Sequence, residues 1–308
     1  MQTIATTTYQ NWNSVILESA FVRVQLIPEL GAKIVTLQNK QTGKEWLVDA
    51  GRRQLMSRPY GYSFGDADMS GWDECFPTID PCVALGYGEG VLPDHGEVWS
   101  LPWEVDLFDH SICCQVKGMA RPYVFKRTIS FVDDHTLRLD YEVRNTGSDA
   151  MSFLWVPHPQ FIVNEPTRIM LPSNVEELRC VYGAKEHSAG ISYDWKELSI
   201  IDERQSGDGS KFYYEGIQHE GWCGLIGEHS GDYLKMEYDS SKTPYFGLWI
   251  DRGIGNDRNV ITLEPSIGYY DRLDRAIANG TAQAVLPNQS WQWSLLLRLG
   301  SKGNEQAF

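Results

Sequence analysis

An all-β domain, mostly antiparallel and with few short helices, is predicted by three features of this sequence. Apolar and polar residues alternate with period two in one segment after another. Clusters of Gly, Pro, Asn and Asp punctuate those segments. Long helical stretches are few.

Taken in chain order, short strands are expected around residues 15–26 and 33–37. The segment Tyr123 to Phe131 places Tyr123, Phe125, Arg127, Ile129 and Phe131 on one face and Val124, Lys126, Thr128 and Ser130 on the other. Asp133-Asp134 marks a turn, and Leu137 to Val143 repeats the alternation. The two runs read as an antiparallel hairpin with one packed and one wet face. Further strands are expected at 152–158, 245–250, 260–264 and 291–299. Helix signals are two: a capping-box pattern from Ser173 to Glu176, and two turns from Asp271 to Asn279 ending at Gly280. Residues 57–96 break the rhythm with Gly, Pro and Asp, and a long irregular stretch of this kind is usually functional. It is expected to form one wall of a site. No internal repeat or linker-like shift divides the chain, so residues 1–300 read as one sandwich domain, with 301–308 as a disordered tail.

Composition narrows the partners. The 308 residues are 42% hydrophobic and 22% charged, which suits a sizeable core. Against 41 Asp+Glu stand only 27 Lys+Arg, a formal charge of -14 that repels phosphate backbones and anionic headgroups. Neither nucleic acid nor a membrane is therefore expected as a partner, whereas a neutral small molecule is not repelled. The opening MQTIATTTYQNWNS has neither the basic nor the apolar region of a secretory signal. Six cysteines, two of them adjacent (Cys113, Cys114), do not make a disulfide framework and read as free thiols in a reducing compartment. A cytoplasmic protein is expected. The oligomeric state is left open.

Three segments can carry chemistry. Leu92-Pro-Asp-His95-Gly-Glu-Val holds a histidine between turn formers. In Trp155-Val-Pro-His158-Pro-Gln-Phe a second histidine is bracketed by prolines, which stiffen the backbone that carries it. In Val260-Ile-Thr-Leu-Glu264-Pro a carboxylate closes an apolar strand, and the proline stops the ladder after it. Taken singly, each histidine reads more readily as a satisfied hydrogen-bonding residue, and the glutamate as a solvated strand-end charge.

Together the segments resemble those of the aldose 1-epimerase (galactose mutarotase-like) superfamily. Ile27-Pro-Glu-Leu-Gly-Ala-Lys through Thr42-Gly-Lys-Glu-Trp-Leu47 is similar to the family's first hairpin. Asp94-His95-Gly96 resembles its first histidine motif, and Pro157-His158-Pro159 falls where the second is expected. Leu263-Glu264-Pro265, with the closing Leu286 to Trp293, resembles the glutamate motif and final strands. The likeness spans nearly the whole chain. It implies a β-supersandwich with an open concave face for a sugar, His158 as general acid, Glu264 as general base and His95 as a hydrogen-bonding partner of the substrate. Anomer exchange needs such a pair, because one proton leaves the anomeric hydroxyl while another reaches the ring oxygen. The expected arrangement sets imidazole and carboxylate on opposite sides of the sugar ring, with no metal and no cofactor.

Around them, Asp73 and Glu74 either bind sugar hydroxyls or cap their loop. Arg127 either pairs within the core or reaches a substrate oxygen. Trp249 either stacks on a sugar or packs in the core. Three rival readings stay open: a silent carbohydrate-binding protein on the same scaffold; a glycoside-active enzyme pairing Glu264 with Asp73 or Glu74; and a metal enzyme using His95, Glu97 and His158.

Overall fold

The computed structural model describes residues 2–301 except Glu89. The tail expected at 301–308 therefore lies, Ser301 apart, outside the described residues. The hairpin read between 123 and 143 forms as strands Tyr123–Phe131 and Thr136–Asn145, in antiparallel register from Tyr123 opposite Asn145 to Phe131 opposite Leu137. Tyr123, Phe125, Arg127 and Ile129 are buried and their neighbours half-exposed, as the alternation requires. The region 15–26 folds as two strands, Trp12–Glu18 and Val22–Ile27, broken at Ser19, whose hydroxyl accepts the Phe21 and Val22 N–H groups.

The described strands pair into four sheets. One six-stranded sheet runs from Thr3–Tyr9 through Lys33–Asn39 and Trp72–Cys75 to an edge strand, Val156–Pro159. A second is built around Asn259–Ser266, Tyr245–Arg252 and Asp208–Tyr213. The nine-stranded sheet contains the 123–145 hairpin and the closing strand Ser290–Gly300. Met151–Phe153 pairs with Gln283–Val285. One hydrophobic cluster extends from Val15 to Leu299 between these sheets, with Trp46, Trp72, Trp155 and Phe153 among its sealed side chains.

Helix is scarce, as expected. Leu273–Ala278 forms in the predicted stretch, and Gly280 follows it at φ 70°. The helix expected at Ser173–Glu176 is absent: Val175 N–H closes a turn on the Pro172 carbonyl, and the chain then enters the strand Glu177–Gly183. A single turn at Trp195–Leu198, capped by Asp194, forms instead. None of the described helices is long and apolar enough to cross a membrane. All six cysteines are free and buried.

Candidate active site

Two prolines suit the strand Val156–Pro159 because it is an edge, where one side of the backbone needs no ladder partner. Its other side pairs with Trp72–Cys75, setting His158 opposite Asp73 and Pro157 opposite Glu74. Successive side chains leave a strand on opposite faces. Asp73 and Glu74, neighbours in sequence, are therefore sent to different places: Asp73 joins His158, and Glu74 enters the core between sheets.

Glu264 comes from the second six-stranded sheet. Glu264 lies opposite Gly247, which lies opposite Tyr213; one pair along, Thr262, Trp249 and Lys211 are in line. All six share one face. A Cβ at Gly247 would press on Tyr213 and the Glu264 carboxylate, so the glycine leaves them room. Gly209, opposite Asp251, similarly leaves space that the Trp249 indole occupies. That indole is half-exposed and tilts against Tyr182, with ring centroids 5.9 Å apart.

The third wall is the 57–96 segment. His95 is in the left-handed region at φ 59°, followed by Gly96 at φ 71°, where any Cβ would collide with the Phe76 backbone. This turn lays the His95 ring flat on Phe64, 4.1 Å between centroids, and edge-on to His158 at 4.7 Å. Asp94 fastens the turn: one oxygen bonds His95 Nδ1 at 2.7 Å and the other accepts Phe64 N–H at 2.8 Å.

Burial sets the electrostatics. His158 Nε2 stands 4.0 Å from Glu264 Oε1, while Glu264 Oε2 is ion-paired with Lys211. Lys211 also lies 3.9 Å from Asp271, which accepts from the Tyr213 hydroxyl at 2.5 Å. Removal from water pushes the Glu264 carboxyl up, with the Lys211 ammonium pulling back. The same desolvation, aided by His95, Lys211 and Lys33, holds His158 well below the ordinary imidazole range. Gln160 Nε2 meets His158 Nδ1 at 3.1 Å and Thr262 at 3.3 Å. In this carboxamide orientation Nδ1 accepts, so the neutral ring carries its proton on Nε2, facing Glu264. Lys33 reaches Asp73 at 2.6 Å, Asp68 at 2.9 Å and the Ser70 carbonyl at 3.0 Å. Burial pushes Asp73 up to about 6 despite that cation. Glu264 Oε1 and Asp73 Oδ1 are both buried without a hydrogen-bond partner, two acceptors that hydroxyl groups would satisfy.

His158, Glu264, His95 and Asp73 are thus gathered in one place, with Trp249 on the flank. Two expectations are corrected. Arg127 and Glu74 do not face this site. Both are 0% exposed, joined by a 2.8 Å ion pair, and the Glu74 carboxylate also accepts Tyr141 O–H at 3.0 Å and Trp155 N–H at 2.9 Å. They join two sheets in the core, so the carboxylate pair of the glycosidase reading loses Glu74. Nor does a ring-sized hollow separate His158 from Glu264, since 4.0 Å is too short to hold a pyranose between them. Glu97, of the metal reading, is turned to the Tyr123 hydroxyl and the Met119 and Ala120 N–H groups, away from both histidines. A cavity of about 550 Å³ lined by Leu85, Gly86, Arg121 and Ile277 lies elsewhere and holds none of the grouped acids and bases.

The cations of the site are lysines that the sequence reading did not single out. Lys33 sits in the apolar run Ala32-Lys-Ile-Val and Lys211 beside Phe212, and a lysine inside a strand of this kind signals a buried ion pair. Arg53 braces the 57–96 segment by donating to the Gly65, Ala67 and Gly255 carbonyls.

No protein-family model and no curated protein matches the chain. Solved structures do. A galactose mutarotase-like protein from Lactobacillus casei is 17% identical, with TM-score 0.66 over 97% of this chain and 100% of that one. One from Clostridium acetobutylicum is 15% identical, with TM-score 0.67 over 97% and 99%. A galactose mutarotase related enzyme from Lactobacillus acidophilus is 15% identical, with TM-score 0.66 over 98% and 99%. At such identities the likeness is one of fold, and it matches the resemblance read from the sequence.

Proposed function

We propose that this chain, whose fold is galactose mutarotase-like, is an aldose 1-epimerase: an isomerase that exchanges the anomers of a small sugar by acid–base ring opening and closure. The observation that carries the reading is the buried pair of His158 and Glu264, 4.0 Å apart. The hydroxyl and ring oxygens of an anomeric centre are bonded to one carbon, so two groups this close can each contact one of them along the same edge of the ring. Glu264 takes the anomeric proton while His158, protonated, delivers one to the ring oxygen. The C–O bond breaks, the aldehyde turns over, and closure returns both protons. The pair needs one proton between its two members, and the roles exchange if that proton starts on Glu264. Each positioned transfer is worth about 10²- to 10⁴-fold in rate.

Asp73 Oδ1, unpartnered and buried, accepts a sugar hydroxyl, His95 Nε2 binds another oxygen, and Trp249 offers its flat face to the ring. No step requires a metal or cofactor. Six buried free thiols suit a reducing, cytoplasmic setting. The test is anomer exchange of α-glucose, α-galactose and related aldoses, followed by polarimetry or NMR with and without protein. Acceleration that survives in neither Glu264→Gln nor His158→Asn supports the reading. One observation favours a silent sugar-binding protein instead, namely the Lys211 ion pair that occupies Glu264; sugar binding without acceleration would establish that alternative.

A further inference from the structure

Among the same grouped side chains, Cys75, His95 and His158 each bring one donor atom to within 4.8 Å of the others. The strand register explains the meeting. Cys75 is two residues beyond Asp73 and opposite Val156, so it shares the face of His158, while the left-handed turn at His95 swings its ring over both. The thiol is 1% exposed. Both imidazoles are already tethered at Nδ1, His95 by the Asp94 carboxylate at 2.7 Å and His158 by Gln160 at 3.1 Å. Each ring therefore has Nε2 left to turn inward. A carboxylate behind a ligating histidine is the usual support of a metal site. Glu264 Oε1, buried, without a hydrogen bond and 4.0 Å from His158 Nε2, is placed to be a fourth ligand or to hold a bound water.

One thiolate and two imidazoles select a borderline-soft cation and disfavour Mg²⁺ and Ca²⁺, which want oxygen. A tetrahedral Zn²⁺ with bonds of about 2.3 Å to sulfur and 2.0–2.1 Å to nitrogen spaces its ligands roughly 3.5 Å apart. From separations of up to 4.8 Å, the three donors need to close by about 1.3 Å at most to reach that spacing. The surroundings attract a cation, since Asp73, Asp94, Glu264 and Asp271 outnumber Lys33 and Lys211.

We propose that Cys75, His95 and His158 form a zinc-class binding site whose occupancy inhibits the enzyme in competition with the sugar. On binding, the Cys75 thiol gives its proton to solvent and the sulfur becomes a thiolate ligand. The Gln160 carboxamide turns its unpartnered Oε1 to His158, so that the ring proton moves from Nε2 to Nδ1 and Nε2 is free to ligate. The metal then holds the imidazole that ring opening needs and blocks the space the sugar enters. The binding stands on the donor set alone; the inhibition rests on the acid–base reading above.

Co²⁺ titrated into the chelator-treated full chain reads the site optically, and Zn²⁺ titration calorimetry reads its affinity. One equivalent of Co²⁺ is expected to produce a near-ultraviolet thiolate-to-cobalt band and visible bands of tetrahedral intensity. Cys75→Ser should lose the near-ultraviolet band, bind Zn²⁺ at least tenfold more weakly, and keep its metal-free anomer exchange while escaping zinc inhibition. Absence of the band in the unaltered protein, or equal zinc inhibition of Cys75→Ser, would overturn the proposal. A cobalt band in a protein that exchanges no anomers would leave the metal site standing and remove the epimerase reading. Exchange without the band would do the reverse.

Discussion

Replacing Arg127 by methionine tests the core role that displaced it from the sugar site. The guanidinium donates to Glu74 at 2.8 Å and to the Ala32 carbonyl, and both side chains are 0% exposed. Methionine fills much of the volume but leaves Glu74 a carboxylate held only by the Tyr141 and Trp155 donors. Breaking a buried pair from one side costs about 3–5 kcal/mol. For a chain of this size, with roughly 2 °C per kcal/mol, the melting temperature should fall by about 6–10 °C. The sign with pH is fixed. Burial already raises the Glu74 pKa, and loss of Arg127, which lowers it, raises it further. A carboxyl whose folded pKa lies above its unfolded value adds stability below the unfolded pKa and loses it as pH rises through the folded one. The deficit should therefore be greatest at neutral pH and shrink on acidification. Adding Glu74→Gln in the same background removes the stranded charge and should recover about half the loss or more. Thermal melts across pH, with anomer exchange measured per folded molecule, provide the assay. A large loss of activity with an unchanged melting temperature would refute the reasoning and return Arg127 to the substrate.

Glu264→Gln and His158→Asn should each cut anomer exchange by about 10²-fold or more while circular dichroism stays native; near-normal rates in either variant would remove that residue from the mechanism. Lys211→Met should move the pH–rate profile to higher pH, because Lys211 lowers the pKa of both Glu264 and His158; an unmoved profile would show that the ammonium does not sense the pair. Asp73→Asn keeps a hydroxyl acceptor but frees Lys33 from one carboxylate, so it should raise KM more than it lowers kcat. Gly96→Ala should destabilise the fold outright, since the residue has φ 71° and its Cβ would strike the Phe76 backbone; an unchanged melting temperature would contradict the geometry.

Sequence alone determined the β class, the hairpin at 123–143 and the late short helix, because period-two alternation and turn chemistry are local properties; His95, His158 and Glu264 it offered as candidates, through the family resemblance of the segments that hold them. Proline brackets are equally local and mark a stiff backbone, but the expectation that Pro265 stops the ladder after Glu264 is corrected: the strand runs on to Ser266, with Pro265 opposite Phe246 and Ser266 opposite Tyr245. What sequence could not assign is which of two adjacent carboxylates enters the site. Asp73 and Glu74 lie in a strand, Trp72–Cys75, that read as loop because all four residues are buried and no polar–apolar alternation remains to betray it. Only the register with Val156–Pro159 sends Asp73 toward His158 and Glu74 toward Arg127. The lysine partners, the orphaned oxygens of Glu264 and Asp73, and the convergence of Cys75 with two histidines likewise arise from contacts between strands far apart in the chain. Such contacts are set by sheet packing, and alternation along a single strand carries no record of what stands across from it.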